Sequence, residues 1–185
     1  MRIIGGHFGG RRLAPIGKGD AAAHLRPTSD RVRESLFNVL ANGWPERLAG
    51  ARVLDLFAGT GALGLEALSR GAAHVTFVEQ GRVALRLLRA NIRLCAAEDR
   101  ATVLARDARR PGPAPAPRDL IFLDPPYGKG LGERALAAAM SGGWLAEDAL
   151  VIWEESAPVC PPGALKLLNE RRYGDTAVRI FEMTG

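Results

Sequence analysis

The 185 residues include only two cysteines, Cys95 and Cys160, which form neither a CxxC pair nor a disulfide framework. That scarcity excludes a small secreted domain stapled by disulfides and points to a reduced, cytoplasmic setting. His7, His24 and His74 stand apart with no HxxxH spacing and no His/Cys cluster, so no metal site is expected. No segment approaches the ~20 apolar residues that cross a bilayer. The start MRIIGGHFGG has no apolar core for an export signal, so neither export nor membrane insertion is expected. Internal repeats are absent as well. With 47% hydrophobic and 24% charged residues, the chain has the composition of a folded globular protein, which excludes general disorder.

What the chain does have is positive charge, unevenly placed. The net charge is +5 and the pI about 9.9, which favours an anionic partner. Residues 1 to 40 carry Arg2, Arg11, Arg12, Lys18, Arg26, Arg31 and Arg33 against Asp20, Asp30 and Glu34, a net +4 of that +5. Taken alone, such a segment also fits a solvated basic face.

The pattern divides the chain into a basic arm and helix over residues 1–43 and an α/β domain over residues 44–185. In the arm, short β-prone pieces alternate with Gly5-Gly6 and Gly9-Gly10, which suits a hairpin or extended segment. Thr28-Ser29-Asp30 can cap a helix whose apolar positions are Val32, Leu36, Phe37 and Leu40, with Arg31, Arg33 and Glu34 on the opposite face. From Ala51 onward strands and helices alternate. Strands are expected at Arg52 to Phe57, His74 to Glu79, Ala101 to Ala105, Asp119 to Leu123 and Ala149 to Glu154, and helices at Ala62 to Arg70, Arg82 to Leu94 and Glu133 to Met140. Several strands are near-continuous apolar runs, as in a parallel sheet covered on both faces. Pro111 to Pro117 reads as a stiff surface connection, and Leu165 to Met183 as a hairpin around Tyr173-Gly174-Asp175. The sum is a doubly wound α/β fold.

The first strand runs into Asp55-Leu-Phe57-Ala58-Gly59-Thr60-Gly61-Ala-Leu-Gly64 and then a helix. Glycines at such a turn let a ligand approach the backbone and leave helix N-terminal N–H groups free. GTGALG also satisfies the dinucleotide pattern GxGxxG, which is weak by itself. Asp55 would repel a pyrophosphate but suits the ammonium end of S-adenosylmethionine, whose sulfonium is also positive. Glu79 can accept from ribose hydroxyls, a feature shared with NAD sites. Asp107, after the third strand, is placed for an adenine edge, although an acid there is also a common turn former. Asp55, Phe57, Ala58, Gly59, Thr60, Gly61, Glu79 and Asp107 make up the candidate cofactor set.

Leu120 to Gly130 reads LIFLDPPYGKG. An exocyclic amine or amide nitrogen shares its lone pair with a π-system and attacks a sulfonium methyl poorly. Two acceptors on its N–H groups strengthen as the nitrogen becomes tetrahedral. The Asp124 carboxylate and the Pro125 carbonyl can be that pair. Pro125 and Pro126 restrict the loop, and Tyr127 can stack on the ring being modified.

DPPY after a DxFAGTGxLG loop resembles the amino-methyltransferases that use S-adenosylmethionine. Arg2-Ile-Ile-Gly-Gly6, Leu25-Arg-Pro-Thr28-Ser-Asp30-Arg31-Val-Arg33-Glu34-Ser-Leu-Phe37-Asn38, LDLFAGTGALGLEALSRGA, FLDPPY and Arg172-Tyr-Gly-Asp-Thr176 together resemble the RsmD family over nearly the whole chain. The resemblance implies a Rossmann-like class I methyltransferase of seven mostly parallel strands with a terminal antiparallel hairpin. It also implies transfer to guanine N2 in bacterial 16S ribosomal RNA, on an assembled or assembling small subunit, and a monomer is expected. The amine site would be Asp124, Pro125, Pro126 and Tyr127, with Arg2, Arg11, Arg12, Arg26, Thr28, Arg31 and Arg33 facing RNA. Adenine-N6 or cytosine-N4 methylation of DNA or RNA uses the same amine chemistry. An NAD-dependent oxidoreductase has only GTGALG and Glu79 in its favour and no use for DPPY. A non-catalytic RNA-binding protein would not need both motifs intact.

Overall fold

The computed structural model describes residues 1–15, 29–163 and 165–184. Arg26 and Thr28, two of the expected RNA-facing residues, lie outside the described residues. The strands are β1 (Arg52–Leu56), β2 (His74–Glu79), β3 (Ala101–Ala105), β4 (Arg118–Leu123), β5 (Leu145–Glu155), β6 (Leu165–Tyr173) and β7 (Thr176–Met183). The helices are α1 (Asp30–Gly43), α2 (Ala62–Ser69), α3 (Arg82–Leu94) and α4 (Leu131–Ser141), with short 3-10 turns at Pro45–Arg47 and Glu98–Arg100.

All seven strands form one sheet in the order β3-β2-β1-β4-β5-β7-β6. β1 to β5 pair in parallel, and β7 runs antiparallel to both β5 and β6. The apolar runs are buried because each face has a cover. α1, α2, α3 and the arm close one face around Val53, Phe77, Phe122 and Ile152, while α4 and Trp144 close the other around Leu54, Ile121, Val151 and Trp153. The crossover from β3 to β4 has no helix. Its proline-rich chain is pinned instead by Trp144 Nε1 donating to Gly112 O at 2.7 Å and by Ala114 N donating to Gly142 O at 2.8 Å.

Most element ends agree with the sequence reading, and β5 is the exception. It starts at Leu145, four residues before the expected Ala149, because Arg118 pairs with Leu145 ahead of an irregularity that contains Asp148 at φ 61°. The acids Glu147 and Asp148 hide this extension by interrupting the apolar run.

The arm is docked to the domain. Ile3, Phe8 and Leu13 are buried in the core that includes α1 and the sheet, so the expected division at residues 43 and 44 runs through one continuous hydrophobic core. Arg2 and Arg12 form an antiparallel bridge, and α2 receives the turn between them. Glu66 accepts from Ile4 N at 2.7 Å and Gly5 N at 3.0 Å, while Phe8 N donates to Ser69 Oγ at 2.8 Å. Gly6 has φ +75°, and a Cβ there would lie 1.9 Å from Ser69 O, so only glycine fits this approach.

Ser29 caps α1, its side chain accepting from Val32 N. Arg33 requires a correction: it is fully buried, not part of an exposed face. Positions 33, 36, 37 and 40 share one helical stripe, so Arg33 lies with Leu36, Phe37 and Leu40. Its guanidinium meets Asp30, the carbonyl of Arg2 at 2.7 Å and buried Glu66 at 3.7 Å, and cannot reach a phosphate outside.

Candidate active site

The glycine turn follows from backbone geometry. Past β1, Phe57, Gly59 and Gly61 adopt φ of 60°, 56° and 81°, which reverses the chain within a few residues. Buried Ala58 donates its N–H to Val78 O at 3.1 Å, fixing the turn to β2. Gly61 is the N-cap of α2 and has no side chain to satisfy its amides; a Cβ there would lie 2.4 Å from Leu88 Cδ1. At Gly64 a Cβ would lie 2.4 Å from the Phe77 ring, so this glycine sets how closely α2 packs on the sheet. Thr60 is buried, and its carbonyl accepts from Asn91 Nδ2 at 2.8 Å.

Three acids flank this turn in different states. Asp55 is 2% exposed, and its Oδ2 accepts from Gly64 N at 3.0 Å. Burial pushes its carboxyl from an ordinary 3.8 up to about 7; the Gly64 amide opposes that rise, and the charge of Glu79 adds to it. Glu79 is bound to backbone on both oxygens: Oε2 accepts from Gly59 N at 2.8 Å, and Oε1 accepts from Gln80 N at 2.8 Å and Gly81 N at 2.7 Å. Asp107 pairs with Arg109 at 2.6 Å, and that hydrogen bond holds its carboxyl below the usual range. The helix N-terminus that would cradle a pyrophosphate therefore already has an acid on its third residue. This arrangement disfavours the dinucleotide reading of GTGALG.

The Asp-Pro-Pro-Tyr segment leaves the end of the neighbouring strand. Leu56 is paired with Leu123, so the glycine turn and Asp124 emerge side by side at the carboxyl end of the sheet. This is the switch point of the fold, since β1 leads to α2 on one face and β4 to α4 on the other. Asp124 is partly buried, Pro125 buried, Pro126 exposed and Tyr127 partly buried. The Tyr127 hydroxyl donates to Glu154 Oε1 at 2.7 Å and lies 3.2 Å from Thr176 Oγ1. Burial, with the nearby charges of Glu154 and Asp124, raises the phenol above its ordinary value, so it stays protonated and remains a donor.

Glu154 and Thr176 are site residues that the sequence reading missed. Thr176 lies in the Arg172 to Thr176 stretch, and Glu154 is an acid at the end of an apolar strand; neither signal connects them to Tyr127. Asn91 was missed too: it bridges the glycine turn to the arm, since its Oδ1 accepts from Ala14 N at 2.7 Å. Of the expected RNA-facing cations, Arg2, Arg11, Arg12 and Arg31 are exposed. Arg2 pairs loosely with Asp30 at 3.7 Å, and Arg11 lies over the Phe8 ring and donates to Leu94 O at 2.8 Å.

The family model described as "Conserved hypothetical protein 95" matches residues 1–182. The chain is 38% identical to ribosomal RNA small subunit methyltransferase D of Escherichia coli strain K12, covering 98% of this chain and 89% of that protein. The protein of the same name from Haemophilus influenzae is 35% identical, covering 98% and 93%. The solved structure of the Escherichia coli protein yhhF superposes with a TM-score of 0.83 at 38% identity, covering 100% of this chain and 98% of that one. No helix among the described residues is long and apolar enough to cross a membrane.

Proposed function

The chain belongs to the RsmD family of small-subunit ribosomal RNA methyltransferases, and from that premise we propose that it transfers a methyl group from S-adenosylmethionine to N2 of a specific guanine in 16S ribosomal RNA. The observation that carries this reading is the emergence of the glycine turn and the Asp-Pro-Pro-Tyr segment from adjacent strands at the switch point. When bound, S-adenosylmethionine supplies an electrophilic methyl on a positively charged sulfur.

The residues present fit that group. A buried carboxyl poised near 7 gains from a cation beside it, which supports Asp55 as the partner of the ammonium end. Glu79 would exchange backbone donors for ribose hydroxyls, and Asp107 would face the adenine edge. Phe57, Ala58, Gly59, Thr60 and Gly61 would line the path.

On the amine side, Asp124 and the Pro125 carbonyl accept the two N–H groups, and those bonds strengthen as the nitrogen attacks. Pro125 and Pro126 keep the acceptors aimed. Tyr127 stacks on the extruded base, with its ring angle set by Glu154 and Thr176. Arg2, Arg11, Arg12 and Arg31 neutralise phosphates while the base is presented. The same reading places the enzyme in the cytoplasm.

The test is to incubate the protein and labelled S-adenosylmethionine with small subunits from a strain lacking the activity, then map the product by mass spectrometry. N2-methylguanine at one position of 16S RNA is expected. Methyl on adenine N6 or cytosine N4 would replace the guanine assignment, and absence of label would reject the reading.

A further inference from the structure

Helix α3 has the most uneven charge of the described helices. Its inner face buries Ala84, Leu85, Leu87, Leu88, Asn91 and Ile92, while Arg82, Arg86, Arg89 and Arg93 are exposed. Their spacings of four, three and four residues place them on one outer stripe about 16 Å long. Asp and Glu are absent from Arg82–Leu94.

Helix stability does not account for this stripe. A solvated helix gains from alternating charge signs at three- and four-residue spacing, and these arginines instead repel one another. Arg82 also sits in the first turn, where the helix dipole disfavours a cation, and Gly81 provides no side-chain cap. Arg82, Arg89 and Arg93 have no ion-pair partner among the described residues.

The stripe continues into the arm. Arg11 donates to Leu94 O at the end of α3, and Arg12 is exposed beside it in the chain. Asn91 holds Ala14 N on one side and Thr60 O on the other, so the helix under the stripe also packs against the glycine turn.

We propose that Arg82, Arg89 and Arg93 of α3, continued by Arg11 and Arg12, form a track that binds the phosphate backbone of the RNA substrate away from the target base. This inference rests on the RNA-methyltransferase reading and extends it to a surface that the N-terminal basic segment alone does not contain. Charge complementarity selects the occupant: a row of cations spaced along a helix, with no acid between them, matches a row of phosphates. Such contacts carry no sequence information, and they fix where the RNA lies while the Asp-Pro-Pro-Tyr segment engages the base.

The test uses the full chain with Arg82→Gln, Arg89→Gln and Arg93→Gln combined, and a matched triple lysine variant. Binding to protein-free 16S RNA is measured over a series of salt concentrations. The glutamine triple is expected to flatten the plot of log affinity against log salt by about 2–3, one phosphate per arginine lost. The lysine triple should keep the wild-type slope, and calorimetric affinity for S-adenosylmethionine should stay the same in both. An unchanged slope in the glutamine triple overturns the track, even if binding to intact subunits falls, because that result would assign the surface to a ribosomal protein. If wild type methylates RNA while the triple keeps the wild-type slope, only the track fails. If wild type neither binds protein-free 16S RNA nor methylates the RNA of intact small subunits, the parent reading fails and the track with it.

Discussion

The glycine turn and the Asp-Pro-Pro-Tyr segment end adjacent strands, yet they are held by different means. The turn takes its shape from what cannot be there: core atoms lie where a Cβ of Gly61 or Gly64 would go, and Glu79 ties it down through backbone N–H groups. The other segment takes its shape from two proline rings and from a phenol reaching out to β5 and β7. One half of the site is thus fixed by close packing of its backbone against β2 and α3, while the other depends on side-chain hydrogen bonds to β5 and β7. Damage should follow the same division, with cofactor binding failing on one side and methyl transfer on the other.

The largest separation is expected from Asp124→Ala. Loss of one acceptor should lower kcat by about 10²–10³ with S-adenosylmethionine affinity unchanged; near wild-type turnover would remove Asp124 from its role. Gly61→Ala tests the opposite half. At φ +81° with Leu88 at 2.4 Å, an added Cβ should lower stability by about 1–3 kcal/mol in thermal unfolding and weaken cofactor binding along with it.

Next in size is a pH effect. Because Asp55 titrates near 7 in the folded protein and at 3.8 ordinarily, the folded state holds this proton more tightly, and its contribution to stability falls as pH rises from about 4 to about 7. A cation requires the ionised form, so cofactor affinity should rise with pH up to about 7, changing by about tenfold per unit below it, and level off above. Calorimetry on Asp55→Asn should give weaker binding with a flat profile, and a wild-type profile in that variant would contradict the ammonium assignment. The smallest effect is expected from Tyr127→Phe, which keeps the ring and loses the tether to Glu154 and Thr176. At about 1 kcal/mol for the lost hydrogen bond, turnover should fall about fivefold while cofactor affinity holds.

How far the site could be read beforehand depends on which contacts the register of the parallel strands creates. Asp55, Gly59, Gly61 and Glu79 are separated by strand and turn spacings, and parallel register brings them together almost automatically. Glu154 and Thr176 show no such spacing to Tyr127. Arg33 departs from the expectation that a charged residue on a helix faces solvent. Its position three and four residues from Leu36 and Phe37 outweighs that rule once Glu66 is buried opposite. The arginines of α3 are plain in the sequence, but only the contacts of Arg11 with Leu94 and of Ala14 with Asn91 make them neighbours of the arm.

By itself the sequence determined the alternation of strands and helices, the turn that needs glycine and the strand end that carries an acid and two prolines. Those features depend on backbone preference and apolar period, which are properties of consecutive residues. Tertiary structure alone decided that the arm is docked through Glu66 and Ser69, that Arg33 points inward while Arg31 stays exposed, and that Tyr127 is anchored by β5 and β7. These pairings join residues far apart in the chain, and only the closing of one core over both faces of the sheet brings them within reach.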